Sequence, residues 1–289
     1  MFEGFDERRV PTPAGEIYLR SGGSGPPLLL IHGYPQTHAI WHRVAPALAQ
    51  RHRVVVPDSL GYGRSAKPPG GENGAAYAKR EVARELVGVM AELGHESFAV
   101  AGHDRGGRVA YRMALDHPER VTRLVALDIV PTLDTWEQMG FAGGLFAYHW
   151  YFLAQPPPFP ESLIAANAEY FLLHTLRSWA GDPDCFGEAA LRDYLECFAG
   201  ETIRASCDDY RAGATVDREL DARDREAGRR IDCPVLALWG DHSGTRPSLL
   251  DTWKRWADDV RGRAIACGHF LPEEAPDEVA AEMREFLGA

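Results

Sequence analysis

The chain has 289 residues, 45% of them hydrophobic and 25% charged, and a formal net charge of −11 from 31 basic and 42 acidic side chains. That composition supplies a full hydrophobic core and excludes a disordered or collagen-like chain. The acidic balance argues against a general nucleic-acid binder, and it obliges any site for an anionic ligand to bring its own local cations.

No apolar run is long enough to span a bilayer, so no membrane segment is expected. Met1-Phe2-Glu3-Gly4-Phe5-Asp6-Glu7 lacks the basic start and apolar stretch of a secretory signal, which points to a cytoplasmic protein. The five cysteines (Cys185, Cys197, Cys207, Cys233, Cys267) form no C-x-x-C pair, and the histidines form no H-E-x-x-H pattern. Reduced structural thiols and no bound metal are the expectation.

In chain order, short apolar runs at 28–31, 54–56, 98–101, 124–127, 235–239 and 264–266 read as strands. Helical patterns at 79–93, 106–116, 248–256 and 277–287 lie between or after them. This alternation predicts a mostly parallel sheet covered on both faces. It stops after Leu127 and resumes near Val235. The intervening stretch is aromatic, then helical in pattern, and holds the stiff Pro156-Pro157-Pro158-Phe159-Pro160 connector. A core domain of residues 1–131 and 226–289, carrying a helical cap of residues 132–225, accounts for the break.

The strand at 98–101 runs into Gly102-His103-Asp104-Arg105-Gly106 and then a helix. Glycines on both sides of one residue permit a sharp strand-to-helix turn that lifts the central side chain above the sheet. Here that residue is Asp104. A carboxylate so placed can displace a leaving group from a saturated carbon and form an ester, which water must then cleave with a general base. Cys267-Gly268-His269-Phe270 follows the last strand, where the histidine of such a triad falls in chain order. Asp128 and Asp241 each follow a strand and are both candidates to orient it; periodicity does not choose between them. The loop His32-Gly33-Tyr34-Pro35 and the Arg105 amide are the expected oxyanion donors, with His32 itself a structural histidine.

These motifs, together with His38, Arg108, Leu127-Asp128-Ile129-Val130-Pro131, Tyr148-His149-Trp150 and Asp208-Asp209-Tyr210-Arg211-Ala212-Gly213, resemble the haloacetate (fluoroacetate) dehalogenases of the α/β-hydrolase fold over nearly the whole chain. The resemblance implies Asp104 as nucleophile, His269 as the base that activates water, and Asp128 as its orienting acid. It implies Arg105 and Arg108 as ligands of the substrate carboxylate, and His149, Trp150 and Tyr210 as hydrogen-bond donors to the departing halide. A small 2-haloacid substrate, no cofactor and a homodimer are further implications. Physics agrees on the arginines: a haloacetate and Asp104 are both anions, and guanidiniums beside them offset the repulsion. The competing expectation is an epoxide hydrolase with the same triad, in which Tyr148, Tyr151 or Tyr210 protonates the opening oxirane.

Overall fold

A strand whose side chains are apolar on both sides of the pleat can be buried only between two layers, and the short apolar runs occupy such positions. A computed structural model of the protein describes residues 1–241 and 249–288. Its centre is a sheet of β1 (Asp6–Thr12), β2 (Gly15–Gly22), β3 (Pro27–Ile31), β4 (Arg53–Pro57), β5 (Phe98–His103), β6 (Val121–Leu127), β7 (Val235–Gly240) and β8 (Val260–Ile265). The spatial order is β1-β2-β4-β3-β5-β6-β7-β8. β3 to β8 are mutually parallel where paired, and β1 and β2 run antiparallel at one edge.

Alternate residues along the central strands feed two separate cores. Leu29, Ile31, Val55, Val100, Leu124 and Ala126 pack on one face with Leu86, Val109, Met113 and Trp253. Leu28, Leu30, Val54, Val56, Ala101, Val125 and Leu127 pack on the other with Trp41, Leu271, Met283 and Phe286. The helices Lys79–Glu92 and Arg105–Asp116 cover the first face, and Pro276–Leu287 covers the second.

Two differences from the sequence expectation have simple causes. The β1–β2 hairpin was not anticipated because β1 carries a single buried residue, Val10, among charged ones, as suits an edge strand. β8 begins four residues earlier than expected, since Arg261 and Arg263 project from its open edge and hide the pattern. The helix expected at 248–256 is Leu249–Trp253, and Ser248 lies outside the described residues. All five cysteines are free. Among the described residues no helix is long and apolar enough to cross a membrane.

Between β6 and β7 the chain is helical, from Thr132–Gln138 through Val216–Glu226. A third apolar cluster lies here, joining Trp150, Leu172, Leu176, Tyr194, Phe198, Cys207 and Tyr210 to Tyr34 and Phe270 from the loops after β3 and β8. These helices therefore sit over the carboxyl ends of the parallel strands.

The helix after β5 reaches its seat only because Gly106 has no side chain: a Cβ there would lie 2.3 Å from the His32 carbonyl oxygen and 2.4 Å from that of Ile31. Gly106→Ala is expected to lower the melting temperature by roughly 5–10 °C, as an overpacking change worth a few kcal/mol does in a chain of this size. A thermal melt of both proteins checks this.

Candidate active site

β5 ends in a turn that puts Asp104 at φ +48°, ψ −119°. Such a conformation costs on the order of 1–3 kcal/mol for a residue with a side chain. Close packing enforces it: a Cβ on Gly102 would lie 2.3 Å from the Gly106 carbonyl oxygen. The side chain of Asp104 is thereby lifted off the strand end at the N-terminus of the helix Arg105–Asp116, whose dipole favours a carboxylate.

The loop after β3 meets it. The Tyr34 backbone N–H donates to Asp104 Oδ1 at 2.9 Å. Gly33 permits the approach, since a Cβ there would lie 2.5 Å from that of Asp104. His32 holds the loop as a structural histidine: its Nε2 accepts the Ser59 N–H at 3.0 Å and its Nδ1–H donates to the Gly33 carbonyl at 3.0 Å. Burial lowers its pKa, consistent with this neutral tautomer.

His269 stands opposite. Its Nδ1 lies 2.5 Å from Asp128 Oδ2, and its Nε2 lies 3.8 Å from Asp104 Oδ2. Asp128, buried at φ +55°, also accepts the Gly240 N–H through Oδ1 at 3.2 Å. Of the two candidate acids, the geometry thus brings Asp128 to the imidazole. Asp241 is exposed and its N–H donates to the Ile265 carbonyl at 3.0 Å; the following His242 lies outside the described residues.

The His269 loop is pinned by the next helix, Leu271–Glu274. Glu274 accepts the N–H groups of Phe270 (2.9 Å), Gly268 (2.9 Å) and Gly181 (2.8 Å). The His269 N–H donates to the Trp179 carbonyl at 3.0 Å, and His103 Nε2–H donates to the His269 carbonyl at 2.7 Å. Burial beside His269 holds His103 down at about 4, so it is neutral near pH 7.

Two buried guanidiniums flank Asp104, and they differ. Arg105 is forked onto Asp209: Nε donates to Oδ2 at 2.9 Å, and Nη2 donates to Oδ1 at 2.8 Å and to the Asp209 carbonyl at 2.7 Å. Arg108 donates through Nη1 to neutral oxygens, the Val130 carbonyl at 2.9 Å and the Thr135 hydroxyl at 3.2 Å, and its Cζ stands 4.5 Å from the centre of the Trp150 ring. Nε of Arg108 and Nη1 of Arg105 have no hydrogen-bond partner among the described residues. Burial, with Arg105 nearby, lowers the pKa of Arg108.

The inserted helices bring His149, Trp150 and Tyr210 to the same space. Their rings stand edge-on, His149 and Tyr210 at 5.7 Å and Trp150 and Tyr210 at 5.8 Å between centroids. His149 Nδ1 and Tyr210 Oη are buried without a partner among the described residues. Burial pulls His149 down to about 3, and burial with the Asp104 charge drives Tyr210 well above the usual phenol range. Both are neutral groups in the physiological range. Burial opposes ionisation of Asp104, but His269, His103, Arg108 and Arg105 together outweigh it and hold its carboxyl below the usual range. An ionised carboxylate held between an oriented imidazole and two guanidiniums can act as a nucleophile toward an anionic substrate.

The profile of the alpha/beta hydrolase fold family matches residues 26–276. The chain belongs to the alpha/beta hydrolase fold family. Within it, the chain is 42% identical over 292 aligned positions to a protein of a Burkholderia species named fluoroacetate dehalogenase, covering 99% of this chain and 95% of the relative. It is 34% identical to a soluble epoxide hydrolase of Corynebacterium sp. (strain C12), covering 94% and 93%. Among solved structures, an alpha/beta hydrolase candidate from Nostoc sp. PCC 7120 superposes with a TM-score of 0.97 at 46% identity over 99% of both chains.

Asp104, Arg105, Arg108, His149, Trp150, Tyr210 and His269 come together in the hydrolase with Asp128 behind His269, whereas the other candidates Asp241, Tyr148 and Tyr151 are exposed. Tyr34 was expected only as part of the oxyanion loop, not for its buried hydroxyl, which has no partner among the described residues; the carboxylates Asp209 and Glu274 were not anticipated in these roles. Asp209 belongs to a quoted motif, yet nothing in its local pattern reports that it reaches a helix 104 residues away.

Glu273, beside Glu274, carries a testable consequence. It is fully buried where the Tyr194 hydroxyl donates to it at 2.5 Å, and burial pushes its carboxyl up to about 8. The folded protein therefore keeps a proton that the unfolded chain releases. The resulting stabilisation is complete below the ordinary Glu value and lost as pH rises through about 8. The melting temperature is expected to fall from about pH 5 to pH 8 more steeply in the native hydrolase than in Glu273→Gln, which has no such proton to lose.

Proposed function

We propose that this hydrolase cleaves the carbon–halogen bond of haloacetates, fluoroacetate first, giving glycolate and halide without a cofactor. The observation that carries the proposal is Arg108: a buried cation beside an ionised nucleophile, with neutral oxygens as its hydrogen-bond partners. A buried guanidinium with no carboxylate hydrogen-bonded to it is costly, and a substrate carboxylate supplies that direct partner. The name of the Burkholderia relative supports the same substrate class.

In this scheme residues 132–225 act as a cap that closes over the substrate. The substrate carboxylate lies between Arg108 and the open edge of Arg105. Asp104 Oδ2 attacks the carbon bearing the halogen, and the halide leaves with the bonding electrons toward His149, Trp150 and Tyr210. Fluoride is strongly hydrated in water, so neutral donors already stripped of solvent replace part of that shell. His269 Nε2 then takes a proton from a water that attacks Asp104 Cγ. Asp128 fixes the tautomer and supports the imidazolium. The Tyr34 amide, already on Oδ1, and the Arg105 amide hold the developing oxyanion, and glycolate departs with the proton returned by His269.

An epoxide hydrolase with the same triad needs phenols over the nucleophile. Tyr148 and Tyr151 are 42% and 46% exposed, so of the three tyrosines weighed for that task only Tyr210 faces the site. Tyr34, whose buried hydroxyl also has no partner among the described residues, stands 5.3 Å from Tyr210 between ring centres. The epoxide chemistry named for the Corynebacterium relative would use that pair, whereas the two guanidiniums beside Asp104 favour an anionic haloacetate.

Single turnover of fluoroacetate in heavy-oxygen water should place the label in the Asp104 carboxylate, read by peptide mass spectrometry. Label confined to glycolate would mean direct attack on the substrate and refute the ester route. Arg108→Ala should lower kcat/KM for chloroacetate about 10- to 100-fold, the weight of a charge-assisted pair, and affect neutral chloroacetamide much less. Equal losses on both substrates, by halide release, would assign Arg108 to packing.

A further inference from the structure

Arg105 alone does not form a clamp, because an arginine on a helix has several torsions and a buried guanidinium needs a counter-charge. The groups that meet it come from one face of the helix Glu201–Ala214. Asp209 takes Nε and Nη2 in a fork. Tyr210 lies under the guanidinium, with Cζ 4.3 Å from its ring centre. Gly213, one turn on, leaves the space that the guanidinium fills: a Cβ there would stand 3.0 Å from Nη2 and 3.2 Å from Nη1. A Cβ at that distance would push both atoms aside by a few tenths of an ångström, including Nη1, which has no partner among the described residues.

The charge on Asp209 is set from behind. Lys79 Nζ pairs with Asp209 Oδ1 and lies 3.7 Å from Asp217 Oδ2, and the Tyr62 hydroxyl donates to Asp209 Oδ2 at 2.7 Å. Lys79, Arg105, Asp209 and Asp217 are all buried and sum to zero charge. Arg105 therefore offers the substrate a rigid donor edge with its charge already balanced by the carboxylate bonded to it, whereas Arg108 donates to neutral oxygens alone.

We propose that Asp209 and Gly213 are positioning residues that seat Arg105, so that the inserted helices, and not the elbow helix alone, set the grip on the substrate carboxylate. The same helix carries Tyr210, so one helical face fixes both the carboxylate end and the halide end of the substrate. This rests on the assignment of Arg105 to the substrate carboxylate made above.

The test uses the full chain in an Asp104→Asn background, which binds haloacetate without forming the ester, and reads fluoroacetate binding by calorimetry and folding by thermal melt. Arg105→Met is the control, expected to weaken binding about tenfold. Asp209→Asn breaks the fork and is expected to weaken binding to a similar degree. Gly213→Ala is the discriminating variant. Alanine in a helix interior stabilises the helix relative to glycine, so its melting temperature should hold or rise while fluoroacetate binding weakens several-fold. A role in folding alone would not separate those two readouts. If Arg105→Met weakens binding while Gly213→Ala and any folded Asp209→Asn bind as the background does, the seating proposal is overturned and the carboxylate assignment stands. If Arg105→Met itself binds unchanged, both fall.

Discussion

Water is largely excluded from the space above β5, yet an ionised carboxylate and two guanidiniums share it. Each of those charges would be expensive alone, and their tolerance of one another rests on the turn that fixes Asp104 at positive φ. If that residue relaxed, the carboxylate would leave both the Tyr34 amide and the dipole of the helix that follows. The three glycines around it, Gly33, Gly102 and Gly106, are there because no side chain fits between the loop after β3, the end of β5 and the elbow helix. Local strain on the order of 1–3 kcal/mol is thus offset by packing over a wide area of the sheet.

A parallel sheet delivers these parts together because every βα loop emerges at the same edge. Tyr34, Asp104, Asp128 and His269 follow β3, β5, β6 and β8, and their separation in sequence vanishes in space. What the sheet does not supply, the inserted helices do: aromatic donors from Tyr148–Leu153 and from Glu201–Ala214, and the carboxylate that balances Arg105.

Much of this was legible beforehand, for reasons that also explain the remainder. Glycines flanking an aspartate between a strand and a helix encode a backbone conformation, and local sequence is where such information resides. The central strands were legible because both of their faces are buried, whereas β1 escaped notice and the start of β8 was missed because edge strands carry charges by necessity. The choice between Asp128 and Asp241 was not available from periodicity, since both follow parallel strands; it depends on how far the His269 loop reaches across the sheet edge. Asp209 and Glu274 were invisible for a deeper reason: each acts on groups distant in the chain, and an acidic residue on a helix looks the same whether it faces solvent or a buried arginine.

Glu274 joins four amides, two on the His269 loop and two, Gly181 and Asp182, on the segment that follows the helix Ala168–Trp179. The carbonyl of Trp179 meanwhile holds the amide of His269 itself. The His269 loop and this corner of the inserted helices are consequently one hydrogen-bonded unit: a shift of the Trp179–Gly181 segment would break bonds that hold the imidazole in place. In the proposed haloacetate reaction this would tie the activation of water by His269 to the seating of the inserted helices at the Trp179 corner.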